Sequence, residues 1–285
     1  MFMLNLIRLI ALYMLAGPLS AQDISTSARE FTPVDQMLAA DWYDVEEINR
    51  TWRHALVRRP APDKGITKSS IKALANEHYA GVKYPVVIYL HGCSGLWAGS
   101  IKRMEMLAAA GYAAIAPDSF ARNKYPKSCD PVTKTVGLYR STLIMRQQDA
   151  LNAVTRAKQL AWVDANNVFL LGFSEGGITA AMMRGNTPQQ HVNARIIEGW
   201  TCHAGWPEYQ GLRAPVSEPM MSLVAKHDPW FQADWARGEC GAFMHPDNGS
   251  VSIQIKDGSL AHQHGLLEAP ALQSKVLAFL HTHTH

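Results

Sequence analysis

The sequence is poor in net charge. Its 27 lysines and arginines stand against 24 aspartates and glutamates, leaving +3 with the two signs interspersed. No basic stripe dense enough to follow a phosphate backbone emerges, which argues against nucleic acid as a partner. No CxxC pair and no His/Cys ligand spacing is present, so nothing marks a structural zinc site. Internal repeats and low-complexity segments are also missing. Cysteine is scarce: Cys93, Cys129, Cys202 and Cys240 form an even set that an oxidising compartment can pair in any of three connectivities. Spacing does not choose among them, and four buried free thiols are the alternative. Nor does any apolar run reach the roughly 18 residues of a membrane span. The candidate run begins after Arg8 and is broken by Gly17-Pro18, with small residues at Ser20-Ala21. That pattern predicts a cleaved export leader over residues 1–21, a periplasmic or secreted product, and no membrane span once the leader is removed.

What remains is a chain of 285 residues, 47% hydrophobic and 18% charged, long enough for one substantial core. From Tyr84 onward short apolar runs alternate with helical patterns, the signature of a mostly parallel sheet wrapped on both faces. Strands are expected at Pro85 to Leu90, Ala113 to Ala116, Val168 to Leu171, Ile196 to Trp200, Met220 to Ala225 and Val251 to Ile255. The first and third lack alternation, as strands buried on both faces should. Helices are expected at Ile101 to Ala110, Leu138 to Leu160, Glu175 to Arg184 and Leu272 to His281. In the second, Leu143, Ala150, Val154 and Ala157 recur at helical spacing while Arg146, Gln147 and Lys158 are expected to face elsewhere. Residues 22–83 form an N-terminal segment packed on the core. Val34 to Asn49 has helical character, and Arg58-Arg59-Pro60-Ala61-Pro62 is expected to be a turn or extended link. Residues 84–285 are the expected catalytic domain, with the polar stretch Ser119 to Gly137 a candidate substrate wall.

The chemistry enters at Gly172-Phe173-Ser174-Glu175-Gly176, a G-x-S-x-G pentapeptide between an apolar strand and a helix. A turn this tight leaves no room for side chains at 172 and 176 and lifts Ser174 above the sheet at a helix N-terminus, where developing negative charge is favoured. Without that flanking context the pattern is weak and marks an ordinary turn serine. Serine is a poor nucleophile at neutral pH, so an acid and a base must follow. Asp228 stands after one later strand, and His262 and His264 stand in the loop after the last. Asp228 is preferred to Asp257, which leaves the sheet too close to the histidines. His262 is preferred to His264 without excluding it. His227 fits a solvated or packed role. The first oxyanion donor is expected from the loop after an earlier strand, at the amide of Cys93 in His91-Gly92-Cys93-Ser94-Gly95, and the second from the amide of Glu175.

These pieces, with Pro117-Asp118-Ser119-Phe120 and Asp228-Pro229-Trp230, resemble the dienelactone hydrolase family of the α/β-hydrolase superfamily over residues 84–265. The resemblance implies an α/β-hydrolase fold, little lid and no cofactor. Founding members carry cysteine where Ser174 stands and are generally cytoplasmic, so a general serine esterase, exported, fits better than hydrolysis of cyclic dienelactones. An ungapped match to the family's histidine loop favours His262, while His264-Gly265-Leu266 resembles an alternative form. A small-molecule ester is the expected substrate. A peptidase or acyltransferase would use the same machinery, and a non-catalytic binding protein is the alternative of another class. Trp97, Tyr125, Trp206 and Trp230 are candidates to line a pocket or simply to pack.

Overall fold

The computed structural model describes residues 30–285 except 62, 64 and 76, so the expected leader lies outside the described residues. Ten strands are present among them: β1 (Leu56–Pro60), β2 (Ile66–Ser70), β3 (Tyr84–Leu90), β4 (Ala113–Ala116), β5 (Cys129–Asp130), β6 (Thr135–Val136), β7 (Val163–Phe173), β8 (Ala194–Glu198), β9 (Met220–Ala225) and β10 (Val251–Ile255). The α-helices are α1 (Ala39–Trp42), α2 (Val45–Arg53), α3 (Ile71–Leu74), α4 (Ala98–Ala109), α5 (Thr142–Ala157), α6 (Glu175–Met182) and α7 (Pro270–Thr282). Eight strands form one sheet in the order β10-β9-β8-β7-β3-β4-β1-β2. Pairings from β10 through β4 are parallel, and β1 pairs antiparallel with both β4 and β2. The short strands β5 and β6 make a separate hairpin.

Both faces of the sheet are covered, which is why its central strands are continuous apolar runs. In β3, Val86, Ile88 and Leu90 join one core cluster with Ala150, Val154 and Ala157 of α5. Val87 and Tyr89 join the other with Leu107 of α4 and Val276 of α7. The expected strands and helices are present with shifted ends. β7 is longer than expected, β8 starts earlier, α5 begins at Thr142 rather than Leu138, and α6 stops at Met182 because Met183 is extended.

Two expectations need correction. The Arg58-Arg59-Pro60 stretch is strand β1, inside the sheet rather than a link. Its arginines are buried because Arg59 donates two 2.8 Å hydrogen bonds to Glu77 and lies 5.1 Å over Trp162, while Arg58 sits near Glu105. Arg146 likewise does not face solvent: it is buried beneath the loop after β3, where its Nη2 donates to the His91 carbonyl. The region 34–49 is helical but broken, because Asp44 accepts from the Glu46 amide and starts α2 afresh.

The cysteines pair as Cys93–Cys129 and Cys202–Cys240. The first joins the loop after β3 to the β5–β6 hairpin within the Ser119 to Gly137 stretch. Among the described residues no helix is long and apolar enough to cross a membrane.

Candidate active site

Ser174 sits between β7 and α6 with φ 57° and ψ −120°, a left-handed conformation that side-chain-bearing residues rarely adopt. The flanking glycines have the reason the motif implies. A Cβ on Gly172 would lie 2.0 Å from the Gly176 carbonyl oxygen, and one on Gly176 would lie 2.0 Å from that of Leu90. The strained corner is held from both sides: the Ser174 amide donates to the Glu198 carbonyl at 2.8 Å, and the Ser174 carbonyl accepts from Ile178 at 3.0 Å.

Asp228 follows β9 and is buried. Its Oδ1 accepts from the Trp230 amide at 3.0 Å, and its Oδ2 lies 2.7 Å from His264 Nδ1. This contact assigns the Nδ1–H tautomer to His264, leaving Nε2 as a proton acceptor with no hydrogen-bond partner among the described residues. The ring packs among Phe173, Trp230 and Phe231 at centroid distances of 5.0, 5.3 and 5.8 Å. Phe173 is the residue immediately before Ser174.

The structure therefore brings His264, and not the preferred His262, to Asp228. The reason is local. Residues Ser259–His262 form a 3-10 turn that leaves His262 exposed and stacked on His227 at 4.9 Å, after which Gln263 is extended and carries the chain back inward. Asp257 is exposed ahead of that turn. The apolar Leu266-Leu267 that follows His264 is buried and is the signal that separates the two histidines.

The loop after β3 lies against the corner at Ser174, since a Cβ on Gly92 would be 3.3 Å from that of Ser174. His91 anchors the loop. Its Nδ1 is 2.7 Å from the Gly92 carbonyl and its Nε2 accepts from the Ser119 amide at 3.2 Å. Burial, then the Arg146 charge, holds the His91 pKa well below its ordinary value, so the ring is neutral. Cys93, Ser174 and Glu175 line a cavity of about 430 Å³ walled by the β5–β6 hairpin and by residues 200–236. Trp206 and Trp230 belong to that wall. Tyr125 does not; it is buried with Met37 and Met145, and Trp97 stands at the start of α4. The Glu175 side chain is buried 3.5 Å from Arg146, and burial raises its pKa.

Two further residues of the site were not singled out by the sequence. Glu198, the last residue of β8, and Arg103 of α4 form a buried ion pair, with Arg103 Nε 2.6 Å from Oε2 and Nη2 2.5 Å from Oε1. Burial works against the Arg103 charge, and the charge and hydrogen bonds of Glu198 outweigh it and raise the pKa. Removing one member of such a pair typically costs about 3–5 kcal/mol.

The model of the dienelactone hydrolase family matches residues 71–241. Among solved structures, the chain is similar to a dienelactone hydrolase-like promiscuous phosphotriesterase from metagenomic libraries, at 17% identity and a TM-score of 0.50, over 72% of this chain and 89% of that one. It is similar also to a thermostable esterase from Pseudomonas putida ECU1011, at 15% identity and a TM-score of 0.50, over 81% and 79%. At these identities the likeness shows a shared fold, that of the α/β hydrolases. No curated protein matches the chain by sequence.

Proposed function

The chain belongs to the dienelactone hydrolase family, and from that premise we propose that this hydrolase is an exported serine esterase working through Ser174, His264 and Asp228. The observation that carries the reading is the 2.7 Å contact of His264 Nδ1 with the buried Asp228 carboxylate. Together with the strained corner at Ser174, it supplies the base and the orienting acid that a serine nucleophile requires.

In the proposed reaction Ser174 Oγ attacks the ester carbonyl as His264 Nε2 takes its proton. Asp228 stabilises the imidazolium, and the proton then passes to the leaving alkoxide. Water attacks the acyl-enzyme by the same route in reverse. The amides of Cys93 and Glu175 are assigned to the tetrahedral oxyanion, each donor contributing about 2.7–4 kcal/mol. Export is supported by the two disulfides, which persist in oxidising compartments, and by the leader-like first residues. A small-molecule ester entering the aromatic-walled cavity is the proposed substrate.

The test is covalent. A fluorophosphonate should label Ser174, and the Ser174→Ala protein should be unlabelled and inactive on short p-nitrophenyl esters. Retained turnover in the alanine protein would refute the assignment.

A further inference from the structure

Glu198 touches both halves of the proposed machinery. It ends β8 opposite Phe173 in the parallel register, and it is fully buried. Its backbone carbonyl accepts from the Ser174 amide at 2.8 Å. Its carboxylate Oε1 accepts from the amides of Leu266 and Leu267 at 2.7 and 2.8 Å, two and three residues beyond His264. We infer that Glu198 is the positioning residue that sets His264 in register with Ser174, an inference that rests on the proposed roles of those two residues.

The surroundings fit that role. Upstream, the histidine loop is tied to the acid's own loop by the His227 amide, which donates to the Ala261 carbonyl at 2.8 Å. Downstream, Glu198 is the anchor that holds the chain as it leaves His264. Between the two anchors, His264 lies on the next peptide of the same strand end. A Cβ on Gly199 would come within 3.0 Å of the His264 carbonyl oxygen and 3.1 Å of its Cε1. Arg103 completes the arrangement: it neutralises the carboxylate and lies 4.7 Å over the Phe173 ring, which itself packs on His264. An apolar residue at 198 would leave two buried amides without acceptors, and the loop would have to move to satisfy them. The carboxylate is thus placed to fix a loop position, and the guanidinium to make that carboxylate tolerable in the core.

The decisive comparison removes the charge first. In an Arg103→Met background, Glu198→Gln keeps an oxygen able to accept from both amides, whereas Glu198→Leu does not. With active sites counted by fluorophosphonate titration, the Glu198→Leu protein should lose about 100-fold in kcat relative to the Glu198→Gln protein, with KM nearly unchanged. The far-downfield proton resonance of the His264 Nδ1–H bound to Asp228 should persist in the glutamine protein and vanish in the leucine one. Glu198→Asp, in the native background, keeps the charge for Arg103 but shortens the reach, and should lose about tenfold in kcat alone. That milder variant decides the matter if the leucine protein does not fold.

Equal kcat in the glutamine and leucine proteins with the resonance intact would overturn the positioning role, as would an unchanged kcat for Glu198→Asp. A wild-type protein that neither labels at Ser174 nor hydrolyses esters would instead refute the functional reading itself.

Discussion

Asp228→Asn changes one atom of a buried side chain, and the structure determines which way the new amide must point. Asp228 Oδ1 accepts from the Trp230 amide at 3.0 Å, so the asparagine carbonyl takes that position. Its NH2 group then replaces Oδ2, which lies 2.7 Å from His264 Nδ1. Two donors cannot face each other, so the imidazole must expose an unprotonated Nδ1 there and carry its proton on Nε2. With Nε2 protonated, His264 cannot accept the proton of Ser174. A wrong-tautomer loss of this kind is about 10⁴-fold in kcat, or about 5.4 kcal/mol of transition-state stabilisation. The side-chain volume is unchanged, so Tm should barely move. The assay is kcat on a short p-nitrophenyl ester, together with the rate of fluorophosphonate labelling, which should fall in parallel. A kcat within about tenfold of wild type would refute the reasoning, because it would mean that the tautomer of His264 is not set by Asp228.

The two histidines should separate cleanly in the same assay. His264→Ala is expected to lose about 10⁴-fold or more in kcat, while His262→Ala, whose ring is exposed on His227, should stay within about threefold of wild type. The reverse result would return the base to position 262. At the sheet edge, hydrogen bonds from Arg59 hold the Glu77 carboxyl below its ordinary pKa. Its stabilisation is therefore complete above the unfolded value of about 4.3 and is lost as pH falls through the folded one. The Tm gap between wild type and Glu77→Gln, followed by calorimetry, should be open at neutral pH and close in acid; a constant gap would contradict the assignment.

The parts legible in the sequence are those decided within a few residues. Gly172 and Gly176 announce the corner because the obstacle to a side chain is backbone that the same turn and the neighbouring strand supply. Asp228 is legible as a residue of the loop that follows the apolar run Met220 to Ala225, at the sheet's carboxyl edge. The choice between His262 and His264 is of another kind. Both occupy the right loop, and a single 3-10 turn over Ser259–His262, together with the distant Glu198 that holds Leu266 and Leu267, turns one outward and the other in. Strand β1 was hidden for a similar reason. Two arginines and a proline read as a turn or extended link until Glu77 and Trp162 are placed beside Arg59.

A common thread links the buried arginines. Arg103, Arg122, Arg146 and Arg195 are all buried, each facing a buried acid far along the chain: Glu198, Asp149, Glu175 and Glu218. Each also donates to backbone carbonyls where the chain enters or leaves regular structure. Arg103 reaches Gly99, Arg146 reaches His91, Arg122 reaches Asp41, and Arg195 reaches Ala180 and Met183 at the end of α6, both at 2.6 Å. Helix ends and loop carbonyls buried without water need such donors, and a guanidinium supplies several in one plane. Once it is buried, its charge needs an acid. The acids therefore follow from the arginines, and the arginines from the carbonyls. The net charge of +3 carries no trace of this, because the pairs cancel in the count. What the net charge conceals is a set of backbone clamps, with Arg103, Arg122 and Arg146 at the sheet's carboxyl edge and Arg195 at the amino end of β8. Substitution of Arg103, Arg146 or Arg195 should move, respectively, the loop of His264, the loop of Cys93 or helix α6 behind Ser174 before it moves the surface.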